Sequence, residues 1–430
     1  MVISNKYILN YTSFLLTLFF IGSSLTSCAN EPQKLKIGVI SDPHYLSEHL
    51  MDGGIAIQNY TTISSKAITD VPEVLDQVLT SYLNSDIEIL LIPGDITKDG
   101  EKQSHIDFVE KLQPLKDKGV RIFVIPGNHD INMPNSIRYE GYKTYPVDNI
   151  SPEEFSQIYA DYGYSDAIKK DTASLSYVAE LNKKTWLIAI DASRYREYKD
   201  RSISAGKILP ETEQWITDRL NEAKEKNIQV IGMMHHGLVE HIMFQSTFFK
   251  EYLVDDWQRL APLFADMGMK AIFTGHFHSN DITEYVSGKG NKIYDIETGS
   301  LCVYPFPYRF IELNSTEMQV YTKTVTSTPT NPNLSEDNKL KMQKQAERLA
   351  LNKIKNIGIQ LPDSITTLFS KITGEVFVMH LAGDEVVDDK LRTSIRQLYQ
   401  VLDQSETVPV DKLELDFYPA DNNVKITFQQ

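Results

Sequence analysis

Six of the ten histidines, His44, His129, His235, His236, His276 and His278, stand at or just beyond the ends of short apolar runs, beside Asp42, Asp95, Asn128 and Asp130. A lone histidine in such a place is more often structural than a ligand, but five run ends carrying the same chemistry point to a metal centre. Imidazole, carboxylate and amide oxygen together suit a hard-to-borderline divalent or trivalent ion such as Mn, Fe or Zn, and do not make a thiolate site. About seven such donors exceed what one ion takes while leaving room for substrate. Two ions about 3.5–4 Å apart, bridged by one carboxylate, match the count.

Those donors need strands behind them. Residues 35–40 are apolar and β-branched and run into Ser41-Asp42-Pro43-His44, and residues 87–92 run into Pro93-Gly94-Asp95. Residues 120–126 deliver the densest stretch, Gly127-Asn128-His129-Asp130. Between them, Val74, Leu75, Val78, Leu79 and Leu83, and then Ile106, Phe108, Val109, Leu112 and Leu115, recur at helical spacing. The order is β-α-β-α-β with ligand-type residues at strand C-termini, where open α/β sheets place their ligands. Further strands are predicted at 174–181, 186–190, 228–234 (ending at His235-His236) and 270–274 (ending at Gly275-His276-Phe277-His278), with helices at 210–226 and 257–267. Alternating runs at 282–286, 292–296, 309–313 and 318–324 read as antiparallel strands. The stretches 45–71, 131–173, 191–209 and 237–256 lack clear periodicity, and the first has the length of a lid.

In order along residues 35–300, Asp42-x-His44, Gly94-Asp95 with Gly100 five residues on, Gly127-Asn128-His129-Asp130, His235 and Gly275-His276-x-His278 resemble the five motifs of the calcineurin-like metallophosphoesterases. The resemblance implies an α/β fold, a four-layer αββα sandwich of two facing sheets with helices outside. It implies that Asp42, His44 and His278 hold one metal, that Asn128, His235 and His276 hold the other, and that Asp95 bridges them. Such a pair would lower the pKa of a shared water, supply hydroxide for in-line attack and neutralise the phosphoryl oxygens. The family's counterpart of His129 faces the leaving group. As an imidazolium it could protonate the departing oxygen or clamp a phosphoryl oxygen, with Asp130 orienting it; the alternative is a histidine that braces the turn. His236 reads equally as a group behind the ligands, a substrate contact or a solvated side chain. Protein phosphatases of the superfamily carry an arginine where this chain has Asp99, and purple acid phosphatases a tyrosinate where it has Lys98. The remaining pattern is similar to the cyclic-nucleotide phosphodiesterase (class III) branch.

The N-terminus adds an address. Lys6, the apolar core 14–21 and Leu25-Thr26-Ser27-Cys28 resemble a bacterial lipoprotein signal, with residues 1–27 removed and Cys28 lipidated. The apolar stretch is shorter than the ~20 residues of a membrane span. An exported chain anchored by lipid follows, on the outer membrane or cell surface if the cell is Gram-negative. Removing Lys6 with no acid would take the net charge from −15 to −16, which argues against a nucleic-acid polymer as partner. Cys302 is then left without a partner in the chain. The catalytic domain is placed at 28–326. A turn-rich stretch near 327–333 opens a mixed α+β extension, 327–430, with helices at 336–355 and 385–402, short strands at 376–379 and 413–418, and no metal-ligand pattern. His49, Tyr45 and Asn59 are possible pocket residues, while His105, His241 and His380 read as surface or satisfied core side chains. The expected function is hydrolysis of a small phosphodiester, cyclic nucleotides among the possibilities. A phosphate-scavenging phosphomonoesterase and a non-catalytic surface binding protein are the alternatives.

Overall fold

The computed structural model describes residues 34–243, 245–357, 362–402 and 415–428; the expected signal segment, 1–27, and Cys28 lie outside them. The first half of the domain runs β1 (Leu35–Val39), α1 (Ile55–Ser64), α2 (Val71–Leu83), β2 (Ile89–Ile92), α3 (Lys102–Asp117) and β3 (Arg121–Val124). A hairpin of β4 (Ile137–Glu140) and β5 (Lys143–Pro146) follows, then α4 (Pro152–Ile158), β6 (Ala167–Lys170), β7 (Tyr177–Asn182) and β8 (Thr185–Ile190). The second half runs α5 (Pro210–Glu225), β9 (Gln229–Met234), α6 (Trp257–Asp266), β10 (Met269–Thr274), β11 (Asp281–Val286), β12 (Lys292–Glu297), β13 (Pro307–Leu313) and β14 (Glu317–Thr324). The C-terminal part supplies α7 (Leu334–Ile357), α8 (Asp363–Ala382), α9 (Asp389–Leu402) and β15 (Asn423–Thr427).

Two sheets result. The first has the order β15-β14-β13-β1-β2-β3 and the second β11-β12-β10-β9-β8-β7-β6. β1, β2 and β3 are parallel, as are β8, β9, β10 and β12. Strand alternation shows how the layers stack. In β8, Trp186, Ile188 and Ile190 join the core under α5 and α6, with Ile216, Leu220, Leu260 and Phe264, while Leu187 and Ala189 join the core shared with the first sheet. In β10, Ile272 faces the helices and Ala271 and Phe273 the other sheet. Period-two side chains buried on both faces are what a sheet sandwiched between helices and a second sheet requires. The expected four-layer α/β architecture is thereby present.

Several local expectations change. Residues 45–71 contain α1, whose sequence Ile-Ala-Ile-Gln-Asn-Tyr-Thr-Thr-Ile-Ser is rich in β-branched and polar residues of weak helix propensity. It packs with β4, Tyr60 lying 5.8 Å from Tyr139 between ring centroids. Residues 131–173 hold the hairpin and α4, which opens on a capping box between Ser151 and Glu154. The predicted strand at 376–379 lies inside α8. Phe377 and Val378 pack on the main core while Val376 and Met379 pack on the small core of Ile372, Leu391, Ile395 and Leu398. A helix apolar on two faces loses the stripe that identifies it in sequence. Leu413 lies outside the described residues, and 415–418 is not a strand. The strand formed here is β15, which pairs antiparallel with β14 and so adds a C-terminal strand to the first sheet.

Candidate metal centre

Both sheets contribute to the site. Loops after β1, β2 and β3 bring Asp42, His44, Asp95 and Asn128; loops after β9 and β10 bring His235, His276 and His278. Asp42, His44, Asp95 and His278 offer ligand atoms within 4.8 Å of one another, and so do Asp95, His235 and His276. Asp95 Oδ2 stands 3.5 Å from His44 Nε2 and 3.4 Å from His235 Nε2, so one carboxylate oxygen reaches both groups. Asn128 Oδ1 lies 3.1 Å from His235 Nε2. All the predicted donors therefore converge.

The backbone is bent to achieve this. Asp42, His44, Asp95, His276 and His278 have φ values of 48°, 43°, 46°, 74° and 67°, a left-handed region that non-glycine residues occupy at a cost. Close approach explains two glycines of the motifs. A Cβ on Gly127 would stand 2.2 Å from Asp95 Oδ1, and one on Gly275 would stand 2.0 Å from Ser41 Oγ and 2.3 Å from Asp42 Oδ2.

The donor atoms fit divalent or trivalent metal ions. His44 Nε2 and His278 Nε2 face each other at 3.2 Å, with Asp42 Oδ1 3.3 Å from the latter. Asp42 Oδ1 is buried with no hydrogen-bond partner among the described residues, while Oδ2 accepts from Ser41 Oγ and His276 N. His235 Nδ1 donates to Pro93 O at 2.8 Å and His276 Nε2 to Glu251 O at 3.2 Å. Each ring is thus fixed by one nitrogen and keeps the other for a ligand bond. Burial opposes an ionised Asp95, but His235 and His129 overrule it and hold its carboxyl well below the usual range.

Above this centre, His129 N donates to Asp95 Oδ1 at 2.8 Å, and His129 Nδ1 lies 2.9 Å from Asp99 Oδ1. Burial disfavours the charged imidazole, yet Asp95 and Asp99 raise its pKa. The expected orienting role of Asp130 is corrected. Its Oδ2 accepts from Gly127 N at 2.8 Å and its Oδ1 from Thr97 N at 2.9 Å, so the side chain turns back under the loop and braces it. Asp99 does the orienting. It is itself paired with Lys98, which packs over the Tyr60 ring, and despite burial Lys98 and His129 lower it to about 2.

Lys66, not singled out in the sequence, places Nζ 2.9 Å from His44 Nε2; it sits in an aperiodic stretch that gave no signal. His236 is buried and donates to Ser204 O at 2.9 Å, with burial and His235 depressing it to about 3, so a solvated role is excluded. Tyr45 packs in the core near Phe108, and His49 and Asn59 are exposed. His105 is a satisfied core histidine between Tyr159 Oη and Asp130 O, each at 2.9 Å.

The calcineurin-like phosphoesterase family matches residues 35–280. No curated protein matches the sequence. Among solved structures, a dimetal phosphatase from Danio rerio is similar at 13% identity and a TM-score of 0.48, covering 68% of this chain and 97% of its own. A purple acid phosphatase from yellow lupin (Lupinus luteus) seeds is similar at 11% identity and a TM-score of 0.42, covering 68% of this chain and 52% of its own. With its strand-end donors inside a family match that spans more than half its length, the chain belongs to the calcineurin-like phosphoesterases.

Proposed function

We propose that the protein is a dinuclear metal-dependent hydrolase of phosphodiesters, with cyclic nucleotides among its candidate substrates. The observation that carries the reading is Asp95 Oδ2, placed between two donor groups at 3.5 Å and 3.4 Å from a histidine of each. Metal ions held there supply Lewis acidity toward phosphoryl oxygens and an activated water. His129, with Nδ1 held by Asp99, presents a proton from Nε2 to the leaving oxygen. A diester carries one negative charge where a monoester carries up to two near neutral pH. The anion Asp99 stands where protein phosphatases place an arginine, so the site offers a dianion one clamp fewer.

Lys66 favours a second reading, a phosphomonoesterase, because an ammonium 2.9 Å from His44 could offset the extra charge. With Mn²⁺, the first reading expects faster turnover of bis(p-nitrophenyl) phosphate than of the monoester, and loss of both activities in Asp95→Ala and His235→Ala. A better monoester rate selects the second reading, and activity that survives both substitutions removes the first. The sequence pattern at Cys28 supports export and lipid anchoring. Among the described residues no helix is long and apolar enough to cross a membrane, and Cys28→Ser should move the protein from the membrane fraction to the soluble one.

A further inference from the structure

A second group of buried histidines and carboxylates lies where β11 meets the end of α8. We propose that Asp281, His380 and Glu385 form a third metal site, for a divalent first-row cation of the zinc or manganese class, which fastens the end of α8 to the strand that follows His278. His380 Nδ1 is 2.6 Å from Glu385 Oε1 and 3.7 Å from Asp281 Oδ2, and the three residues offer ligand atoms within 4.8 Å of one another. Imidazole with two carboxylates selects such an ion over calcium or magnesium, which take oxygen alone.

Three observations go beyond the presence of charged residues. First, Asp281 Oδ2 and Glu385 Oε2 have no hydrogen-bond partner among the described residues, although both side chains are only 1% exposed. An unpartnered buried carboxylate oxygen is costly unless something else binds it. Second, the other oxygen of Asp281 is already oriented, by His241 Nδ1 at 2.6 Å and Thr283 Oγ1 at 3.0 Å. A carboxylate held by one oxygen with the other left free is how a ligand is presented to a metal. Third, His380 Nε2 is also buried with no hydrogen-bond partner among the described residues, so an unpartnered nitrogen accompanies the two unpartnered oxygens. The site also touches the catalytic centre: the Phe277 ring, between His276 and His278, lies 5.4 Å from the His380 ring.

The full chain, stripped with chelator and dialysed against zinc, should bind one equivalent more than Glu385→Gln or His380→Ala by elemental analysis. In an Asp95→Ala background that extra equivalent should persist, and Glu385→Gln should remove it. The glutamine variant keeps the shape of the side chain, so it decides the question even where the buried His380→Ala chain does not fold. Equal zinc content in Glu385→Gln and the parent chain would overturn the proposal and leave a hydrogen-bonded ion-pair network only.

Discussion

The strand-end centre and the cluster around Asp281 are built from the same residue types, yet their backbones differ. Five donors of the first lie in the left-handed region, a strain on the order of 1–3 kcal/mol each. None of His241, Asp281, Asp295, Glu297, His380 and Glu385 does. The first set turns several side chains from short loops onto one point, and only a surrounding fold holds it there. The second draws relaxed residues from strands, a helix and the loops at His241 and Glu385, far apart in the chain, so its groups stabilise the packing they join. Strain here marks the region arranged to act on another molecule, and relaxation marks the region arranged to hold the protein together.

Substitutions can break that comparison. Asp95→Asn should cut kcat/KM by on the order of 10⁴-fold while the chain still folds, since asparagine tolerates the positive φ. A rate within about tenfold of the parent chain's would show that Asp95 does not belong to the region that acts on substrate. Asp295→Ala should do the reverse. Asp295 faces His241 Nε2 at 3.2 Å and accepts from Leu238 N and Val239 N, so its loss should cost about 3–5 kcal/mol by denaturant titration, with turnover per folded molecule nearly unchanged.

Finer changes sharpen the comparison. Asp99→Asn should slow turnover of substrates with poor leaving groups roughly 10–100-fold and move the alkaline limb of the kcat–pH profile to lower pH, because His129 loses an anion that raises its pKa. An unmoved limb would limit Asp99 to packing. The smallest effect concerns pH and stability. Burial lowers His105 to about 3, so it folds neutral; its contribution is present above the unfolded value of 6.5 and is lost as pH falls toward 3. His241 is the opposite case. Although burial disfavours its charge, Asp295 and Asp281 raise it, so its contribution is present below 6.5 and is lost as pH rises through the raised value. His105→Gln should therefore flatten the acid slope of melting temperature, measured by calorimetry, and leave the alkaline slope alone.

How far the sequence disclosed each region follows from the same contrast. Side chains turned by short loops must sit at fixed spacing after apolar runs, so the convergence of Asp42, His44, Asp95, Asn128, His235, His276 and His278 could be read from the sequence. The orienting partner of His129 could not, because Asp130 is adjacent in sequence while Asp99 arrives from another loop, and adjacency says nothing about which way a side chain turns. Gly127 was readable as a turn residue; its need for a bare Cα, set by Asp95 Oδ1, appears only once two loops touch. His380 and Glu385 carry no motif, since their partner Asp281 lies about a hundred residues away. The same holds for α8, whose two apolar faces hid its period. The capping box Ser151-Pro152-Glu153-Glu154, by contrast, is a local signal that the sequence carries on its own.

The central claim is that Asp95 stands between two metal ions. Crystals of the Mn²⁺-loaded chain, measured at the manganese absorption edge, should show two anomalous peaks about 3.5–4 Å apart on either side of Asp95 Oδ2, one beside His44 and His278 and the other beside His235 and His276. A single peak, or peaks that leave Asp95 outside the pair, would contradict the account.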